Sequence, residues 1–132
     1  MKTIICLATT GLVTAGALAA TATIAAPPGP AATAGAQVFA RSCAMCHTVA
    51  RGAPSKLGPN LAGVSGRKAG SVPGFRYSPA MSKSGITWKA DTLDAFLAKP
   101  SAVVPGNRMG FAGIKDTAQR AAVVSYITGL PK

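Results

Sequence analysis

Two cysteines and a histidine in the run Cys43-Ala44-Met45-Cys46-His47 constrain this chain more than any other feature. A C-x-x-C-H string is the pattern by which a haem is attached covalently. The spacing has a chemical reason. Two thiols three residues apart on one turn can each add to a vinyl group of one porphyrin. The His that comes next then projects at the iron as an axial ligand. A chain with this motif folds around a large flat group, so its core is part protein and part cofactor.

The other cysteine and the other candidate ligands sharpen that expectation. Cys6 lies in a first stretch that reads as a secretory leader, residues 1–26, with Lys2 ahead of an uncharged run from Ile4 to Ala26. Small-x-small cleavage sites occur at Ala17-Leu18-Ala19 and Ala20-Thr21-Ala22. The alternative is an uncleaved membrane anchor, because about 20 apolar residues can span a bilayer. The many Ala, Thr and Gly residues make the segment weakly hydrophobic, which favours cleavage and a periplasmic product. The exported chain keeps Cys43 and Cys46. A redox-active thiol pair is the competing reading, but the adjacent His and the lack of a β-α-β pattern oppose it. Zinc would want a fourth protein ligand, and His47 is the only histidine.

Charge narrows the partners. Fourteen Lys and Arg face three acidic residues, Asp91, Asp94 and Asp116, for a net charge of +11. Losing Lys2 with the leader leaves +10 on the exported chain. Such a balance fits nucleic acid, an anionic membrane surface or an acidic protein. Export argues against nucleic acid. The cations are dispersed, which suits a diffuse field that steers docking to acidic redox proteins. Weak association with an anionic membrane surface stays open, and a monomer is expected.

Hydrophobic pattern implies an all-α domain, residues 34–132, behind a flexible linker at 27–33. A first helix runs from Ala34 to Ala44 with Thr33 as its cap, straight into the attachment motif. Residues 48–87 are crowded with Gly and Pro and read as extended loops. A helical stripe of Leu93, Phe96 and Leu97 covers Ala90–Ala98 and stops at Lys99-Pro100. A last helix runs from Asp116 to Thr128, capped by Asp116 or Thr117. Three helices of this size bury too little apolar area for about 100 residues. A covalent porphyrin would supply the missing core.

A second axial ligand must be a Met or be missing, since no second His exists. Met45 lies inside the attachment turn and cannot reach the opposite face. Met81 comes after Ser78-Pro79-Ala80 in a short helical turn, where core filling suits it better. Met109 sits in a loop pinned by Pro105 and opened by Gly106 and Gly110, and is the expected sixth ligand. An open coordination site, as in a gas-binding protein, is the alternative.

The chain resembles the class I cytochromes c of the mitochondrial and bacterial periplasmic type. The matching runs are Phe39 ahead of the attachment motif, Gly58-Pro59-Asn60-Leu61-Ala62-Gly63, and Gly66-Arg67-Lys68. Beyond these come Pro73-Gly74-Phe75-Arg76-Tyr77, Gly85-Ile86-Thr87-Trp88 and Pro105-Gly106-Asn107-Arg108-Met109. They cover the chain from about residue 35 onward. The resemblance implies one covalent haem c in a fold of three main helices and long loops. It further implies that the Pro59 carbonyl orients His47, and that Arg67, Tyr77 and Trp88 bind a buried haem propionate. The first and last helices should cross near Gly35, Phe39, Val123 and Tyr126.

Departures from the family pattern are Phe96 in place of a Tyr, Asn107 in place of a Thr, and Met81 where a polar residue is frequent. Arg41, Lys56 and Arg108 flank the attachment motif, the next loop and Met109, and are the expected docking residues. The resulting expectation is a carrier of single electrons between respiratory-chain partners, an oxidase, a dehydrogenase or a bc1-type complex, and not an enzyme. The alternative is a haem subunit dedicated to one membrane oxidase or dehydrogenase.

Overall fold

The computed structural model describes residues 29–132. The expected leader at 1–26 and the first two linker residues lie outside the described residues. The helices, in chain order, are α1 Pro30–Ser42, α2 Pro79–Ser82, α3 Ala90–Ala98, α4 Pro100–Val103 and α5 Thr117–Thr128. The three long ones are those that apolar periodicity marks out, in an all-α fold. Among the described residues the only β-type pairing is one isolated antiparallel bridge, Lys68 with Thr87.

The first helix ends at Ser42 rather than Ala44, because Cys43 leaves helical geometry at φ −127°. Two further differences come from proline. Residues 30–33, expected as linker, are helical. Pro30 occupies the first turn of α1, where its missing N–H would have had no partner and its fixed φ already suits a helix. Thr33 is therefore inside the helix, with its N–H donating to the Gly29 carbonyl at 3.1 Å. Pro100 does end α3, holding Lys99 extended at φ −159°. It also opens the short α4, again from a first-turn position.

The caps of the other long helices come from side-chain chemistry. Asp116 accepts from the Gln119 N–H at 2.9 Å and starts α5. Thr92 accepts from the Lys89 N–H at 2.8 Å and fixes the start of α3. The loops at 48–87 gain order from the strip around Trp88. There the Gly66 N–H donates to Trp88 O, the Trp88 N–H to Arg67 O and the Ala69 N–H to Ile86 O, at 2.7–2.9 Å.

The core lies where α1 and α5 cross and where α3 packs on α5. Val38 and Phe39 from α1 meet Val123, Val124 and Ile127 from α5, with Leu93, Phe96 and Leu97 from α3 beside them. The Phe39 and Tyr126 rings are 5.5 Å apart at the crossing. One ion pair fastens α5 to α3, Arg120 Nε to Asp94 Oδ1 at 2.7 Å. The same guanidinium donates to Ile114 O at 2.9 Å, drawing the chain before α5 onto it.

Gly35 sets the depth of the α1–α5 crossing. A Cβ there would lie against the Ala122 carbonyl oxygen and 2.6 Å from Tyr126 Cβ. Backbone cannot yield to such an overlap, so the helices would have to separate. Gly35→Ala should cost about 1–3 kcal/mol despite the better helix propensity of Ala. Urea unfolding of the haem-loaded protein measures this, and an unchanged midpoint would show that the crossing can relax.

Candidate functional site

The attachment motif continues α1 as a tight turn. The Cys43 N–H donates to Phe39 O at 2.8 Å, and the Cys46 and His47 N–H groups both return to Cys43 O, at 3.0 and 2.9 Å. This turn holds both thiols and the imidazole at the end of a helix that is anchored in the core. Cys43 and Cys46 are half-buried and carry no disulfide. Burial, and then the neighbouring Cys46, push the Cys43 thiol up to about 11. A redox-active thiol needs the opposite shift, so Cys43 is poorly suited to attack in disulfide exchange.

His47 is fixed from outside its own turn. Its Nδ1 donates to the Pro59 carbonyl at 2.8 Å. A carbonyl can only accept, so the proton sits on Nδ1 and Nε2 keeps a free lone pair. Burial lowers the pKa of His47, partly opposed by the bond to Pro59, and so favours this neutral imidazole. The Gly58 N–H donates to Cys46 O at 2.8 Å and lays the 54–59 loop against the motif.

Gly58 is a functional position to which the matching run of residues assigned no role. A Cβ at Gly58 would overlap the His47 ring, 2.7 Å from Nδ1 and 2.8 Å from Nε2. The ring lies flat against bare backbone. A Gly directly before a Pro, a short distance after the motif, was the available signal, since close backbone approach demands Gly.

The Met109 loop is equally constrained. Gly106 takes φ +84° to turn the chain. Asn107 Nδ2 then donates to Val104 O at 2.7 Å, and its Oδ1 accepts from the Met109 N–H at 2.9 Å. Asn107, a departure from the family pattern, is the clamp that presents Met109. The Phe111 N–H closes the loop on Met109 O at 2.8 Å.

These segments enclose one cavity of about 450 Å³. Cys46, His47 and Gly58 line it together with Tyr77, Met81 and Met109. The structure thus brings the motif and Met109 into one space, within the size range of small-molecule and cofactor sites. Met81 is buried on α2 in the same wall, so it contributes to the lining as well as to the core.

The three residues expected at a propionate are less uniformly placed. Tyr77 lines the cavity, whereas Arg67 lines a second, shallower basin. The Arg67 guanidinium donates to Ala62 O and Asn60 O, both at 2.8 Å, and so braces the 60–62 loop. Burial lowers the Arg67 pKa, with Tyr77 opposing; burial raises the Tyr77 pKa, with Val72 and Arg67 opposing. Trp88 is buried against Phe96, ring centroids 5.0 Å apart, rather than on the cavity wall.

The expected docking residues also divide. Arg41 and Arg108 are exposed, and Arg108 stands on the cavity rim. Lys56 is exposed but occupied, its Nζ donating to Ala44 O at 2.9 Å across the attachment turn.

The residues present fit a covalent haem. Both thiols stand on a rigid turn, the imidazole is neutral and aimed by Pro59, and a thioether shares its cavity. Among the described residues no three His, Cys, Asp or Glu side chains converge on a bare metal ion.

Comparison with known proteins agrees with this geometry. The family model described as Cytochrome c matches residues 32–131. The cytochrome c2 iso-2 of Magnetospirillum fulvum is 50% identical over 88 residues, 67% of this chain and 91% of that protein. The cytochrome c2 of Rhodoplanes tepidamans is 45% identical over 95 residues, 72% of this chain and 88% of that protein. A cytochrome c of Cannabis sativa is 43% identical over 102 residues, 77% of this chain and 91% of that protein.

Gly58→Ala should displace the His47 ring from Pro59. A loss of about 1–3 kcal/mol in stability is expected, with a lower yield of haem-loaded protein. Absorbance-based haem content and urea unfolding check it, and a variant that loads and unfolds normally would contradict the flat seat.

Proposed function

The chain belongs to the cytochrome c family, and from that premise we propose that it shuttles single electrons in a periplasm between respiratory-chain partners. It binds one covalent haem c and is an electron carrier, not an enzyme. The haem supplies the one-electron Fe(II)/Fe(III) couple. The rest is the work of this chain's own residues.

Cys43 and Cys46 would hold the group through thioether bonds, and His47 Nε2 and the Met109 thioether would ligate its iron. Because Pro59 fixes the His47 ring and Asn107 holds the Met109 backbone, little of the chain would rearrange when an electron moves. Thioether ligation raises the reduction potential. The clamp of Asn107 on the Met109 backbone supports this pairing, because a ligand held before it binds gives up less entropy on binding. That clamp is the observation carrying the proposal.

Export rests on the leader-like residues 1–26. Among the described residues no helix is long and apolar enough to cross a membrane. Docking uses the face around the motif. Met45 and Leu57 are 83% and 81% exposed there, an unusual state for large apolar side chains. Arg108 lines the same cavity as Leu57, and exposed Arg41 lies just ahead of the motif in the chain. Lys56 adds charge while bracing the attachment turn. An acidic oxidase, dehydrogenase or bc1-type partner complements such a face.

Two outcomes test the reading. The oxidised protein should show the weak charge-transfer band of Met–Fe(III) ligation at the red edge of its spectrum. Met109→Ala should abolish the band and lower the reduction potential, whereas a band that survives would exclude Met109 as ligand. Arg108→Glu should slow electron transfer to an acidic partner severalfold at low salt and much less at high salt. A loss independent of salt would remove Arg108 from the docking face.

A further inference from the structure

A haem carries its vinyl groups and its two propionates on opposite edges of the ring. Thioether bonds at Cys43 and Cys46 would tie the vinyl edge to the attachment turn, so the propionates reach a wall away from that turn. Propionates are carboxylates, and a carboxylate leaving water needs cations and hydrogen-bond donors.

The cavity offers few. Outside the motif its polar side chains are Arg76, Tyr77 and Ser78 on one wall and Arg108 on the Met109 loop. Of the titratable groups in the motif, Cys46 and His47 line the cavity too, but the thioether bond and the iron engage them. No Asp or Glu lines it. The one ion pair among the described residues joins Arg120 to Asp94, so no carboxylate of the protein pairs with either arginine. Arg67 and Trp88, the other residues expected at a propionate, do not line this cavity, and Arg67 already donates to two backbone carbonyls.

The wall at 75–78 is held in place. The Phe75 and Tyr77 rings meet edge to face with centroids 4.8 Å apart, and both line the cavity. Ser78, 4% exposed, is the one buried polar side chain among the described residues. Its hydroxyl accepts from the Met81 N–H at 3.1 Å, which leaves its own proton for another acceptor. Arg76 is exposed where it lines the cavity, which places it at the mouth. Its forked donors match a carboxylate.

We propose that Arg76 is the cation that binds a haem propionate at the mouth of the cavity, a role that the family resemblance did not assign to it. The proposal rests on the covalent haem c and needs neither the axial pair nor a docking partner. A cation beside a propionate keeps it ionised and opposes the extra positive charge of ferric haem. Arg76 therefore lowers the propionate pKa and raises the reduction potential.

The test compares the haem-loaded protein with Arg76→Gln, Arg76→Lys and Lys83→Gln, the last removing an exposed cation that does not line the cavity. The reduction potential is measured across the acid-to-neutral range, and the haem methyl resonances of the ferric protein follow propionate titration by NMR. Arg76→Gln should lower the potential and move the propionate step up by about one pH unit. Arg76→Lys should return the step close to its original position, and Lys83→Gln should leave it in place. A step unmoved in Arg76→Gln, moved equally in Lys83→Gln, or not restored in Arg76→Lys would overturn the proposal. The Met–Fe(III) band reports separately on the axial pair, so its absence from the unaltered protein would sink that reading and leave this one standing.

Discussion

The hydrogen bond from His47 Nδ1 to the Pro59 carbonyl is the contact on which the rest of the structure depends. It selects the tautomer, aims the ring and joins the helix-borne motif to the next loop. It forms only because residue 58 has no side chain. The consequences spread outward from there. Gly58 binds the attachment turn, Lys56 reaches back over it, and Asn60 organises the turn at 50–53. The Gly and Pro content of this stretch, which at first reads as looseness, is what lets backbone lie against imidazole.

A second constraint is the shortage of apolar surface. The helices gather a core at the α1–α5 crossing and beside α3, joined by loop residues such as Val64, Trp88 and Ile114, and the rest of the described residues are loop. The loops close by hydrogen bonds to backbone and to Asn side chains more than by packing. Such a chain needs a large apolar group in its cavity to complete its core. The proposed ligand pair, one on the motif and one on the Met109 loop, would allow that group to be structural and functional at once.

The helices were legible because their signals are local. Periodicity located α3 to the residue, and Asp116 marked the start of α5. Pro30 misled, since proline reads as a breaker while its first-turn role depends on the residues after it; Pro100 stops α3 as expected but also opens α4. The motif and Met109 stood out because few residues can do their chemistry, and the structure places Cys46, His47 and Met109 on one cavity. Gly58 and Asn107 were not assigned roles, because theirs exist only once distant segments meet. The placement of Arg67 illustrates the same limit. Its acceptors, Asn60 O and Ala62 O, are backbone atoms, which side-chain patterns do not reveal.

The central claim is that His47 and Met109 bind one iron from two segments fixed in advance. Proton NMR of the reduced protein addresses it most directly, because a methionine bound to ferrous haem sits in the ring current of the porphyrin. One methyl singlet shifted far upfield, assigned to Met109 and absent in Met109→Ala, is the predicted result. An upfield methyl belonging to Met81, or none at all, would contradict the account.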